Sequence, residues 1–132
     1  MAITILSAKK FATKLKATIQ ASGRLGFTDD TARALGFASE KFAKFAQDDE
    51  KGILYLIITN ERSDDAFEIR ISSGYYYVPA KLMFDALGLD YVNYNIMFDL
   101  IRQPSLDNDL AGQVFYMKQR MNKRKEKQDD IT

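Results

Sequence analysis

The chain of 132 residues contains no cysteine and no histidine. Without cysteine, the sequence excludes a disulfide framework and zinc–thiolate sites. Without histidine, it lacks the commonest general base and the commonest transition-metal ligand. No apolar run is long enough to span a bilayer. In the amino terminus, MAITILSAKK, charged residues follow too short an apolar run for a secretory signal. We therefore expect a cytoplasmic protein with no cofactor, no metal and no membrane partner.

Other catalytic features are also scarce. A run of three acids, Asp48 to Glu50, precedes Gly52 and is typical of a solvated turn. Asp107 and Asp109 partly match a calcium loop, but Lys118 stands where such a loop requires glutamate. The sequence has no glycine-rich phosphate cradle and no nucleophile–base pair. We predict that the protein is not an enzyme, and no small-molecule substrate is evident.

What the chain does have is apolar and aromatic residues, which make up nearly half of it and include nine Phe and seven Tyr. This composition predicts one globular domain. The net charge of +1 is unevenly distributed, because residues 1–45 and 118–132 are basic and residues 46–117 are acidic. Such asymmetry is typical of a protein with an anionic partner on one side, or of one that associates with itself.

Two stretches of the chain have the same pattern. Residues 22–37 read SGRLGFTDDTARALGF, and residues 73–89 read SGYYYVPAKLMFDALGL. Each begins with a Ser-Gly turn pair, continues with alternating apolar residues and ends in Leu-Gly, which predicts a hairpin turn, a strand, a short helix and a left-handed cap at Gly36 and Gly88. A unit of this kind gains a core by packing against a second copy of itself.

The residues around each copy predict further strands. The pattern of Leu15, Ala17 and Ile19 predicts a strand over residues 14–21, and FEIRIS (67–72) matches it before the second Ser-Gly. After the glycine caps, residues 39–46 fit either a helical turn or the strand that the repeat requires, and we expect strands at ILYLIIT (53–59), residues 92–100 and QVFYMK (113–118). Ile3 and Ile5 indicate a short opening strand, and residues 7–13 a helix.

The predicted fold class is therefore α+β and strand-dominated. Two pseudo-symmetric ββαββ-like repeats, about 14–62 and 65–118, form one β-barrel or sheet core, with an added amino-terminal helix. Residues 1–118 make a single domain, and residues 119–132 make a flexible basic tail.

The two copies differ on their predicted outer faces. Copy one carries Lys14, Lys16 and Arg24 on its strand and turn and Arg33 on its helix, a set able to contact phosphates. At the place of Arg24, copy two has Tyr75, followed by Tyr77, and outward tyrosines stack on unpaired bases or cover a protein interface. The predicted nucleic-acid-binding residues are Lys14, Lys16, Arg24, Arg33, Tyr75 and Tyr77.

The order of these elements resembles the swapped-hairpin domains of AbrB, MazE and MraZ. The first copy keeps Gly23, Arg24, Leu25, Phe27, Leu35 and Gly36 of that pattern, and the second keeps Gly74, Tyr76, Val78, Pro79, Leu87 and Gly88. The resemblance covers residues 14–118 as tandem copies and implies a double-split β-barrel that binds duplex DNA as a transcription regulator, with Arg24 as a binding residue. Thr28 replaces the motif's proline in copy one.

Residues 53–87 also resemble the single-stranded-DNA-binding fold of PC4 and Whirly proteins. Both resemblances imply a nucleic-acid partner, and they differ on duplex or single strand. The alternative function is a non-catalytic protein-interaction module, a scaffold or antitoxin-like partner that forms a homodimer or another complex through Tyr75 and Tyr77.

Overall fold

The computed structural model describes residues 2–6, 8 and 14–124. Nine antiparallel strands in this part of the chain form one sheet, in the order β5-β3-β4-β9-β8-β1-β2-β7-β6. The strands are β1 (Lys16–Ile19), β2 (Leu25–Phe27), β3 (Phe42–Asp48), β4 (Ile53–Thr59), β5 (Phe67–Glu68), β6 (Arg70–Ser72), β7 (Tyr75–Val78), β8 (Tyr94–Arg102) and β9 (Gln113–Lys123). The helices are short: α1 (Asp29–Ala34), α2 (Lys81–Ala86), a 3-10 turn (Pro104–Leu106) and α3 (Asp107–Leu110). The prediction of a strand-dominated fold is confirmed.

The two ends of this sheet are joined by one short stretch of chain. β5 and β6 lie at opposite ends of the strand order, yet only Ile69 separates them in sequence. β5 pairs with β3, and β6 pairs with β7. The sheet therefore curls into a nearly closed barrel, whose interior is filled by side chains from every other strand position.

The core contains aromatic rings from strands and from the segments around both helices. Phe84 in α2 is fully buried, and its ring lies 6.1 Å from that of Phe45. Phe37, just beyond α1, packs edge-on against Phe27 at 4.9 Å and lies 5.7 Å from Tyr76. In β2 and β7, the side chains that point into the core are those that the alternation of apolar residues predicts.

The two Ser-Gly turns differ in length by one residue. In the first hairpin, Gly23 has φ +90°. Gln20 donates its N–H to the Arg24 C=O, and its own C=O accepts from the Gly23 N–H. In the second, Ser73 and Gly74 both have positive φ and directly join the paired Ser72 and Tyr75. A two-residue hairpin turn whose twist matches that of its two strands requires a positive φ at both residues.

The predicted helix caps are largely confirmed. Thr28 is the N-cap of α1 and accepts a hydrogen bond from the Thr31 N–H. Gly36 and Gly88 have φ of +72° and +74° and end the two helices with the same pair of backbone bonds. The second helix begins later than the repeat predicts, because Pro79 precedes its N-cap, Ala80.

Four other predictions differ from the structure or lie outside its described part. Residues 2–6 form no strand, although Ile3 and Ile5 predicted one. Val92 is exposed because β8 begins only at Tyr94. β9 continues through Gln119 to Lys123, where the sequence predicted a flexible tail, because these residues pair with β8. The helix predicted at 7–13 lies outside the described residues except Ala8, as does the tail from residue 125.

Candidate nucleic-acid interface

A cationic groove lies on the outer face of the barrel where β1, β8 and β9 run side by side. Lys16 is paired with Asp99 of β8, and Asp99 in turn with Lys118 of β9. Since paired residues of neighbouring strands point to the same face, their side chains are brought together across the sheet. The groove has a volume of about 490 Å³ and is lined by Lys14, Leu15, Lys16, Asp99, Leu100, Ile101, Arg102 and Arg120.

Ion pairs neutralise part of this charge. Arg120 Nη2 lies 3.0 Å from Asp99 Oδ1, and Arg102 binds the carboxylate of Asp107 with both terminal nitrogens at 2.6 Å. Hydrogen bonding to Arg102 lowers the pKa of Asp107, so that this carboxylate stays ionised. Among the described residues, Lys14 and Lys16 form no ion pair. They are the unneutralised cations of the groove.

A buried hydroxyl fixes the backbone beside these lysines. Thr31 of α1 is completely buried, and its Oγ1 accepts a hydrogen bond from the Lys16 N–H at 2.8 Å. It also accepts one from the Thr28 hydroxyl at 2.8 Å. The Lys16 N–H lies opposite the end of β2, so Thr31 takes the place of the missing strand partner. The first helix therefore positions the strand that carries the lysines.

A second cluster lies on the next two strands of the sheet, β2 and β7. The guanidinium of Arg24 stacks over the ring of Tyr77, 4.3 Å from its centroid. Tyr77 is paired with Gly26. A Cβ at Gly26 would lie 2.5 Å from the side-chain nitrogen Nε2 of Gln20. The absence of a side chain at Gly26 thus lets Gln20 lie flat over this part of the sheet. Tyr75 is 62% exposed.

The predicted site residues therefore fall into three places. Lys14 and Lys16 line the cationic groove, and Arg24, Tyr75 and Tyr77 belong to the cluster on β2 and β7. Lys16 is four strand positions from the partner of Arg24, or about 13 Å along the strand. Arg33 forms an exposed ion pair with Asp30 within α1, at 3.2 Å, and does not line the groove.

The chain matches no protein-family model, no curated protein and no solved structure. The resemblances to swapped-hairpin and single-stranded-DNA-binding domains therefore stay predictions.

Sequence reasoning missed three of the five charged residues that line the groove, namely Asp99, Arg102 and Arg120. Asp99 lies within the strand predicted at residues 92–100, but its partners lie 83 residues earlier, at Lys16, and 21 residues later, at Arg120. Arg120 was placed in the tail. Continuing the alternation of QVFYMK by two residues would have placed it on the outer face with Lys118.

Other kinds of site find little support in the described part of the chain. It contains no group of three or more acidic side chains placed to hold a metal ion. A second groove, about 460 Å³ in volume, lies between the end of β4 and the loop before β9, but its lining mixes one lysine with Glu61 and Asp107. None of the described helices is long and apolar enough to cross a membrane.

Proposed function

We propose that the protein binds nucleic acid without catalysing a reaction, through the cationic groove and the adjoining face of β1, β2 and β7. The observation that carries this proposal is the convergence of Lys14 and Lys16 on a groove whose only acid, Asp99, is already paired with Arg120. A groove with uncompensated positive charge attracts phosphates, and release of their counterions supplies most of the nonspecific affinity.

The cluster on β2 and β7 extends the same face. Arg24 and Tyr75 present a guanidinium and an open ring, both of which stack on bases that are not paired. The lysines serve duplex and single strand alike, whereas the stacking groups serve only single strands. Tyr75→Ala therefore separates the two possibilities: it weakens single-strand binding and leaves duplex binding unchanged.

We also infer that the fold arose from two copies of one ββαββ unit. The pairing of β1 with β2 corresponds to that of β6 with β7, and the pairing of β3 with β4 to that of β8 with β9. β5 and β6 together correspond to β1, and β5 pairs with β3 just as β1 pairs with β8. The pairs β2–β7 and β4–β9 each join equivalent strands of the two halves. Exchanging the halves therefore leaves these pairs unchanged, which supports a pseudo-twofold relation.

The decisive experiment is a salt titration of binding to duplex and single-stranded probes. Lys14→Glu with Lys16→Glu should greatly weaken binding. The milder pair Lys14→Ala and Lys16→Ala should reduce the slope of log affinity against log salt by about 1.8 for duplex and about 1.4 for single strands. Lys44→Glu with Lys51→Glu changes the net charge equally, on β3 and in the turn that follows it, and should leave most of the affinity. Equal losses in the two Glu pairs, or binding insensitive to salt, would refute the proposal.

The alternative function, a protein-interaction module, is favoured by the exposed apolar side chains near the tip of the β6–β7 hairpin. Ile71 and Tyr75 are both more than half exposed there. If this hairpin binds another protein, Tyr75→Ser with Tyr77→Ser should remove that partner from affinity-purified complexes, while the Lys14→Glu, Lys16→Glu pair retains it.

A further inference from the structure

The last residues of β9 have an open edge. β4 pairs with β9 only as far as Tyr116, whereas β8 pairs with β9 as far as Lys123. Gln103 N–H donates to Val114 C=O, and Arg124 N–H donates to Asn93 C=O, both at 2.8 Å. Even-numbered residues of β9 thus direct their backbone groups to β8, and odd-numbered residues direct theirs to the other side.

Gln119, Met121 and Lys123 therefore point their N–H and C=O groups to a side where no described strand pairs with them. A groove of about 320 Å³ lies beside this edge, with Ile53 and Leu54 on one wall, Met117 to Gln119 on the other, and Phe98 among its lining residues. An unpaired edge of this kind is a template for another strand.

The same chain carries a strand-like segment with no partner strand among the described residues. Residues 2–6, AITIL, lie outside the sheet, and Ile3, Ile5 and Leu6 are 84%, 92% and 73% exposed. β-branched residues at alternate positions favour a strand that is buried on one face. Burial of these side chains against a sheet edge would remove apolar surface from water.

We propose that residues 2–6 of one copy of the chain bind as an antiparallel strand to the open β9 edge of a second copy, and reciprocally, so that two copies form a closed dimer. Ile5 lies opposite Gln119, and Ile3 lies opposite Met121. The proposal is independent of nucleic-acid binding.

Side-chain direction supports this register. Gln119 and Met121 are paired with Phe98 and Ile96, both of which belong to the barrel core. Ile5 and Ile3 therefore continue the rows that begin at Phe98 and Ile96, and they cover Met121, which is 44% exposed. Thr4 falls opposite Arg120 on the outer face.

Charge supports the direction. An antiparallel strand on β9 runs collinear with β4, and Leu6 ends beside the turn that precedes Ile53. That turn carries the acids Asp48, Asp49 and Glu50, whereas the sequence shortly after Leu6 is Lys9-Lys10. A parallel strand would instead direct these lysines toward Lys123 and Arg124. Opposite charges thus meet only in the antiparallel arrangement.

Disulfide trapping tests the proposal directly, because the natural chain has no cysteine. Opposed residues of an antiparallel pair have Cα atoms about 5.5 Å apart, which suits a disulfide. Chains with Ile5→Cys are mixed with chains with Gln119→Cys and oxidised gently. We expect a mixed disulfide in high yield. Thr4→Cys, whose side chain points to the other face, is the matched control and should give little.

Solution mass completes the test. By light scattering, the natural chain should have twice its monomer mass of 15.1 kDa. Ile5→Glu should shift dissociation to at least tenfold higher concentration, and Thr4→Glu should not. Because these residues lie outside the barrel, folding is unaffected. Monomer at every concentration, equal effects of the two variants, or a disulfide formed only within a chain that carries both cysteines would overturn the proposal.

Discussion

Replacing the buried hydroxyl of Thr31 tests how α1 holds the strand of the cationic groove. Thr31→Val keeps the shape of the side chain but removes the acceptor of the Lys16 N–H. Because Thr31 is completely buried, water has no access to replace it. An unsatisfied buried N–H costs about 1–3 kcal/mol. The Thr28 hydroxyl also loses the oxygen to which it donates, although it still accepts a hydrogen bond from the Thr31 N–H.

We therefore expect Thr31→Val to lower the free energy of unfolding by about 2 kcal/mol. For a chain of this length, that corresponds to a fall in Tm of roughly 8 °C. Urea unfolding monitored by circular dichroism measures the change, and the m-value should stay constant if the variant still unfolds in two states.

Thr31→Ser is the matched control, because it keeps the hydroxyl and removes one methyl group. A buried methyl contributes about 0.8 kcal/mol, so the serine variant should lie between the natural protein and Thr31→Val. The reverse order, with Thr31→Ser the less stable variant, would refute the reasoning. It would show that packing of the methyl group, and not the bond to Lys16, determines stability here.

Three further stability predictions follow from the core and the loops. Phe84→Ala should cost about 3–5 kcal/mol in urea unfolding, because a fully buried ring leaves a cavity; a loss below about 1 kcal/mol would contradict the packing described. Gly112→Ala should cost about 1–3 kcal/mol, because its Cβ would lie 2.7 Å from the Ile58 carbonyl oxygen; an equally stable variant would show that the loop shifts freely. Asp107→Asn should be less stable than the natural protein at neutral pH. Because hydrogen bonding to Arg102 lowers the pKa of Asp107 in the folded state, this stabilisation is present above the ordinary pKa of 3.8 and is lost as pH falls through the lowered pKa. The gap in Tm between the two proteins should therefore close in acid, and a gap independent of pH would contradict it.

The elements that the sequence predicted well are those whose signals are local. A β-prone run matches β4 at residues 53–59, and the Leu-Gly pairs locate the ends of α1 and α2. Alternation predicted that Arg24, Tyr75 and Tyr77 face outward, and their apolar neighbours Leu25 and Val78 are buried in the core. These features depend on side-chain period and on the backbone freedom of glycine, both of which a short window contains.

The cationic groove was only half predicted, because its members meet through strand pairing over long sequence separations. No local pattern reveals that β8 lies between β1 and β9, so that Asp99 contacts Arg120 instead of neutralising Lys16. The contact of Arg24 with Tyr77 likewise depends on β2 pairing with β7 across the two halves of the chain. Charge counts along the sequence identified the basic third of the chain but could not show which cations stay unneutralised.

The open edge of β9 faces away from β8 and β1, whereas the free lysines of the cationic groove lie beside β1, which makes the two proposals compatible. β8 separates β9 from β1, so a strand added at Gln119 to Lys123 leaves Lys14 and Lys16 uncovered. A dimer formed through this edge would carry two grooves, and a nucleic acid long enough to reach both would bind by avidity. We therefore predict that Ile5→Glu, which disrupts the dimer, lowers affinity for long probes far more than for short ones. Gel shifts with probes of two lengths measure this, with Thr4→Glu as the control. An equal loss for both lengths would mean that the segment contacts the nucleic acid itself, and no loss for either would mean that a single groove binds alone.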